Sequence, residues 1–331
     1  MTDPLVEIDN LGLTIGGQPV LRGVSLSVAT GESLGLVGES GSGKSMTLRC
    51  LTRLLPPGAK ATGEVRLAGT DVLGLRERQL RAHRQSIGMV FQDPRTAINP
   101  LHTVGSYMVE RAKDSGAGLR DATDRALDVL QAMGISDPQR RMDQYPFELS
   151  GGLLQRVMIA SVVMEQPRLI LADEPTTALD VTTQAEVLRL LDGLREKNSA
   201  AMIFVTHDLD LAAAVCDRIA VMYGGRILEV GPATTLPDAA VHPYTRALLA
   251  ARPPLTHRLE TIPTVPGVPA SAARTGDGCP FAARCPVALP VCSETLPGME
   301  TVGSSQVRCH RASEVQSGAL DAELPLRLEL Q

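Results

Sequence analysis

Tryptophan is absent, and four phenylalanines and four tyrosines are all the aromatics that 331 residues contain. Recognition by base stacking or by an aromatic cage is therefore excluded as a main mode. The core has to be assembled from Leu, Val, Ile, Ala and Met. Long apolar runs are missing as well: none approaches the ~18 residues of a membrane span. Any membrane association is expected to come through a partner. Met1-Thr2-Asp3-Pro4 offers neither a basic stretch nor an apolar one, so the expectation is a chain without a signal peptide that stays in the cytosol. A positive surplus is lacking too. Lys and Arg number 32 against 37 Asp and Glu, a net charge of −5, which argues against a binder that relies on general attraction to nucleic-acid phosphates. No internal repeat is present. Hydrophobic residues at 44% and charged residues at 21% nevertheless belong to a globular chain, not a disordered one.

What is present is first an eight-residue stretch, Gly38-Glu39-Ser40-Gly41-Ser42-Gly43-Lys44-Ser45. It fits G-x-x-x-x-G-K-[ST], the P-loop pattern, and it occurs once. Ser33 to Val37 before it reads as a buried strand. Met46 to Leu55 after it carries Leu48, Leu51 and Leu55 at helical spacing, with Pro56-Pro57-Gly58 as the stop. On such a strand–loop–helix turn, glycines let successive N–H groups and the helix N-terminus face an anion. Lys44 is expected to reach the β- and γ-phosphates and the Ser45 hydroxyl to ligate Mg²⁺.

Residues 5 to 32 alternate short apolar stretches with Gly-containing turns, the pattern of antiparallel hairpins. Gly63 to Gly69 reads as another strand, Arg76 to Gln85 as a basic helical connector, and Ile87 to Phe91 as a buried strand ending at Gln92. From about Val104 to Phe147 the pattern is helical, with Ala126, Leu127, Leu130 and Met133 on one face, closed by Gly134. A further helix starts at Ser150, its N-cap, and runs to about Glu165. Strands return at 169–172, 202–205 and 219–222, with the helical stretch Ala185 to Lys197 between the first two. Apolar strands alternating with helices imply a parallel sheet covered on both faces. Prolines 253, 254, 263, 266 and 269 mark an extended linker. Ser313 to Gln331 reads as a loosely packed tail.

An acidic pair, Asp173-Glu174, ends one of these strands. Phosphoryl hydrolysis needs a carboxylate to hold Mg²⁺ through water and another to polarise the attacking water. Around the pair, in chain order, stand Gln92, Leu149-Ser150-Gly151-Gly152, Ala178-Leu179-Asp180 and Val205-Thr206-His207. With the P-loop, these ordered motifs resemble the ATP-binding subunits of ABC transporters over residues 5 to about 250. The resemblance implies an α/β fold: a P-loop ATPase core with a mainly parallel sheet, an N-terminal antiparallel subdomain and a helical subdomain at about 100–165.

It also implies roles. Gly38, Glu39, Ser40, Gly41, Ser42, Gly43, Lys44 and Ser45 would bind ATP. Ser45, Gln92 and Asp173 would serve Mg²⁺, Glu174 would be the general base, and His207 would contact the γ-phosphate. Ser150, Gly151 and Gly152 would cap the nucleotide of an opposite subunit, since their free N–H groups suit an anion outside their own P-loop. Asp180 would lie at the dimer seam. Two departures stand out. Ile15 occupies the place where the family usually stacks an aromatic on adenine, and Leu153-Leu154 continues the signature.

The C-terminal part narrows the resemblance. His242-Pro243-Tyr244-Thr245-Arg246-Ala247-Leu248-Leu249 is similar to a stretch of the oligopeptide, dipeptide and nickel importer ATPases. Cys279, Cys285, Cys292 and Cys309 in residues 279–331 resemble the extension of the peptide-importer members, beyond a Pro-rich linker at 251–278. Four cysteines so close in a cytosolic chain point to ligands before disulfides. Their C-x₅-C-x₆-C-x₁₆-C spacing lacks the C-x₂-C of an ordinary zinc ribbon. The expectation is a [4Fe–4S] cluster, with zinc (joined by His310) and unligated buried cysteines as the alternatives. The resemblance implies an ATPase at the cytoplasmic face of the membrane that powers peptide import. Its partners would be a second, non-identical ATPase, two permeases and an extracytoplasmic binding protein, with no nucleic acid. A nickel importer ATPase is the nearest alternative, and a non-transport ABC ATPase acting on DNA or ribosomes a remote one.

Overall fold

A computed structural model describes residues 4–114, 118–176, 181–251 and 265–320. Its strands, in chain order, are β1 (Val6–Ile15), β2 (Gln18–Val28), β3 (Ser33–Val37), β4 (Lys60–Leu67), β5 (Thr70–Asp71), β6 (Ile87–Val90), β7 (Leu169–Asp173), β8 (Ala201–Thr206), β9 (Arg218–Tyr223), β10 (Arg226–Pro232), β11 (Glu300–Val302) and β12 (Ser305–Val307). The chain divides into two compact units. One comprises Met1–Leu5, Val28–Glu32 and Gly74–Val205; the other comprises Val6–Ser27, Ser33–Leu73 and Thr206–Gln331.

In the first unit β6, β7 and β8 pair in parallel, Ile87 opposite Leu169 and Leu169 opposite Ala201. Every residue of β7 and β8 is buried, as a parallel strand covered on both faces requires. The helix Gly151–Met164 lies so close to β6 that a Cβ at Gly88 would stand 2.3 Å from a Val162 methyl. Glycine is needed there for close approach. Ala126, Leu130 and Met133 of the helical stretch are buried. Gly134 follows at φ 68°, a conformation that ends a helix without penalty for glycine.

In the second unit β2, β1, β4 and β5 form an antiparallel sheet in that order. β3 pairs in parallel with β9, and β9 pairs antiparallel with β10. The helix Leu209–Val215 packs on β3, where a Cβ at Gly35 would meet Ala212 at 3.1 Å. The cysteine-bearing extension joins this sheet. β12 pairs antiparallel with β10, and β11 with β12. Three of the eight aromatics meet here: Phe281 is fully buried against Tyr223 and Tyr244, edge-on to the first. A segment too short for a core of its own thus anchors on the aromatics and strand edge of its neighbours.

Two expectations are corrected. The helix after the P-loop spans Lys44–Thr52 and stops well before the prolines. Arg53 turns left-handed at φ 50°, with the Arg53 and Leu54 amides donating to the Cys50 and Arg49 carbonyls, a tight C-terminal turn that needs no proline. The tail is not loose throughout: Ala312–Gln316 is helical and buries Ala312 and Val315. Residues 321–331, the rest of that tail, lie outside the described residues.

Candidate functional site

The P-loop connects β3 to the helix Lys44–Thr52. Gly41 and Gly43 take φ of 78° and 108°, values that side chains resist. A Cβ at Gly38 would sit 2.1 Å from the Met222 carbonyl oxygen, so the loop presses onto the end of β9. The Lys44 ammonium is buried inside the curl and donates to the carbonyls of Gly38, at 2.6 Å, and Glu39, at 3.1 Å. The Ser42 hydroxyl is buried with no hydrogen-bond partner among the described residues. A buried hydroxyl without a partner is costly, and in this loop it suits an incoming anionic oxygen. The donors present therefore fit a polyphosphate: curled backbone, a lysine at the centre and a helix N-terminus behind it.

In the other unit the acidic strand end is as expected and more constrained. Asp173 is almost fully buried as the last residue of β7. Glu174 follows with φ at 46°, a conformation that costs a non-glycine residue free energy and clusters at functional sites. Its amide donates to the Val205 carbonyl at 3.0 Å. Gln92, 82 residues earlier, donates its side-chain amide to the Glu174 carboxylate at 3.0 Å. Two candidates found separately in the sequence thus share a hydrogen bond.

Ser150 caps the helix Gly151–Met164, its hydroxyl oxygen accepting from the Leu153 amide at 3.3 Å. That hydroxyl keeps its proton to donate elsewhere. A Cβ at Gly151 would meet nothing within 4 Å among the described residues, so packing within the chain does not demand glycine there. From the same helix the buried Gln155 donates to the Pro175 carbonyl at 2.6 Å, pinning the turn that follows Glu174. Nothing in the local sequence announces this role of Gln155, which depends on a fold that brings the helix beside the strand end.

His207 is exposed just after β8. Asp208 beside it caps the helix Leu209–Val215 by accepting from the Leu211 amide. Asp180 lies outside the described residues. Ile15 is the last residue of β1 and is half-buried.

Cys279, Cys285, Cys292 and Cys309 line one cavity of about 20 Å³ together with His242 and His310, and all four are free thiols. Burial pushes the Cys279 thiol up to about 12 and that of Cys285 to about 11. Among the described residues no three His, Cys, Asp or Glu side chains form a group that could hold a metal ion. The zinc expectation also loses a ligand atom, because the Nε2 of His310 donates to the Thr295 carbonyl at 3.0 Å. His242, passed over in the sequence as part of a family stretch, is the histidine that faces a cysteine. Its Nδ1 accepts from the Tyr244 amide, and its Nε2 stands 4.0 Å from the Cys279 sulfur. Burial holds that imidazole down to about 3. It is neutral, and with Nδ1 accepting, its proton sits on Nε2.

Residues 21–177 match the ABC transporter family, and residues 228–292 match the oligopeptide/dipeptide transporter C-terminal region. A probable peptide ABC transporter ATP-binding protein of Sinorhizobium fredii is 45% identical, covering 89% of this chain and 90% of that protein. A dipeptide transport ATP-binding protein of Haemophilus influenzae is 41% identical, covering 90% and 91%. Among solved structures, a dimeric ATP-binding cassette in a post-hydrolysis state with ADP and Pi superposes with a TM-score of 0.62 at 30% identity. That match covers 69% of this chain and 98% of the cassette.

Proposed function

The chain belongs to the ATP-binding subunits of ABC transporters of the peptide/dipeptide importer family, and on that premise we propose how its residues divide the work. The protein is an ATPase that powers peptide import. Lys44 and the amides of Gly38 to Ser45 bind the phosphates. Glu174 is the general base that polarises the attacking water, and His207 contacts the γ-phosphate. Ser45, Gln92 and Asp173 would hold Mg²⁺, which when bound would neutralise charge on the phosphates. Ser150, Gly151 and Gly152 serve a nucleotide held by another subunit. The partner is a second, non-identical ATPase. Two permeases and an extracytoplasmic binding protein complete the complex at the cytoplasmic face of the membrane. Among the described residues no helix is long and apolar enough to cross a membrane, so force has to pass to permease subunits through surface contact.

The observation that carries the hydrolytic role is the 3.0 Å bond from Gln92 to a Glu174 held at φ 46°. Glu174→Gln is expected to keep ATP binding while lowering turnover by about 10²-fold or more, the usual contribution of a positioned base. Phosphate release by the purified transporter measures it, and near-normal turnover contradicts the assignment.

The four cysteines belong to the proposal as ligands of a [4Fe–4S] cluster, a structural staple for the extension. Their convergence on one cavity supports this, and so do Pro280 and Pro286, which stiffen the backbone after two of them. A single ion draws its ligands into near contact, whereas a multi-iron cluster holds them apart. Protein purified without oxygen is expected to contain iron, sulfide and visible charge-transfer absorbance. Their absence defeats the cluster.

A further inference from the structure

Glu39 is an odd residue for an anion-binding loop, because a carboxylate repels the phosphates that the loop attracts. The structure answers this with a cation from the far end of the chain. Arg284 lies in a single 3₁₀ turn, Ala282–Arg284, and its guanidinium forks onto Glu39 with bonds of 2.8 and 3.1 Å to the two carboxylate oxygens. The remaining three N–H groups are also engaged. Nε donates to the Pro266 carbonyl at 2.7 Å, one Nη to the Tyr223 hydroxyl at 2.9 Å and the other to the Val265 carbonyl at 2.8 Å. All five donors of the guanidinium are thus used, and its plane lies against the rings of Tyr223 and Phe281. The side chain is 6% exposed. A fork so completely satisfied holds one position.

Glu39 is gripped at its backbone too. Its amide donates to no one in the loop; it donates to the Tyr244 hydroxyl at 3.0 Å. Its carbonyl is one of the two that receive the Lys44 ammonium. The path therefore runs from the extension through Arg284 to Glu39, and from Glu39 to the lysine that meets phosphate.

We propose that Arg284 is a positioning residue of the nucleotide site. It neutralises the Glu39 carboxylate and fixes the backbone against which Lys44 is set. The cysteine-bearing extension is then a brace for the P-loop as well as an appendage of the sheet. This rests on the nucleotide-site assignment above.

The test is ATP binding by the full-length chain, followed with a fluorescent ATP analogue, in wild type, Arg284→Ala, Arg284→Ala with Glu39→Gln, and Arg284→Lys. Removing the guanidinium leaves a bare carboxylate in the loop, and binding is expected to weaken about tenfold. Adding Glu39→Gln removes that repelling charge and is expected to recover most of the loss. A purely structural role predicts the opposite, since the second substitution would add to the first. Arg284→Lys keeps a cation without the fork, and is expected to weaken binding about threefold and to be relieved by Glu39→Gln in the same way. It decides the matter where Arg284→Ala does not fold. Wild-type affinity in the arginine variants, or no recovery with Glu39→Gln, overturns the proposal. A wild-type chain that binds no ATP overturns instead the nucleotide-site assignment on which it rests.

Discussion

Lys44 shows how one residue can be ready for its ligand before meeting it. Its ammonium is buried within the loop and tied to the carbonyls of Gly38 and Glu39, so a phosphate finds it already oriented. A compact cation on a stem is the chemistry that P-loops use. Lys44→Ala is expected to weaken ATP binding itself by about tenfold or more, equivalent to at least ~1.4 kcal/mol. Equilibrium titration with nucleotide checks this, and undiminished affinity contradicts it. Glu174 differs in kind: its left-handed backbone is held by the Val205 carbonyl and its carboxylate by the Gln92 amide. The rest of the unit offsets that strain, so its loss should appear in turnover and not in binding.

At the scale of elements, the helix Gly151–Met164 does two jobs within its first two turns. Its start is capped by Ser150, and its body delivers Gln155 to the Pro175 carbonyl. Replacing Gln155 by Leu leaves that carbonyl buried without its donor, a loss of about 1–3 kcal/mol. The expectation is a lower denaturation midpoint and a drop in turnover from a misplaced Glu174. Full activity with an unchanged midpoint contradicts the positioning role. Much at this scale was legible in the sequence. Ser150 as N-cap, the strands expected at 169–172 and 202–205 and the turn at Gly134 all declare themselves through local chemistry. Gly88 and Arg53 did not. One is glycine because a helix passes 2.3 Å from where a Cβ would stand, and the other ends a helix by backbone geometry alone. Both facts belong to packing or to backbone geometry that the residue type does not announce. The bond between Gln92 and Glu174, and the fork of Arg284 on Glu39, join residues 82 and 245 apart. Spacing along a chain carries no trace of such distances; only the fold does.

For the whole molecule, scarcity of aromatics becomes informative. Tyr223, Tyr244 and Phe281 are gathered where the extension meets β9 and the helix Pro243–Ala250, the last two of them within the matched C-terminal region. The extension is bound by a strand edge, by that aromatic cluster and by one charged fork, all from within its own unit. The chain has a P-loop and a Ser150-Gly151-Gly152 helix start whose first glycine no packing among the described residues requires. On the function proposed above, that helix start serves a second ATPase, which in turn completes the site of this chain. ATP-dependent uptake of labelled peptide tests that account most directly, in vesicles holding the permeases, the binding protein and both ATPase subunits. With wild-type chain, uptake is expected to follow ATP; with Glu174→Gln it is expected to stop while nucleotide stays bound. Uptake that continues undiminished in the variant, or that never depends on ATP, contradicts it.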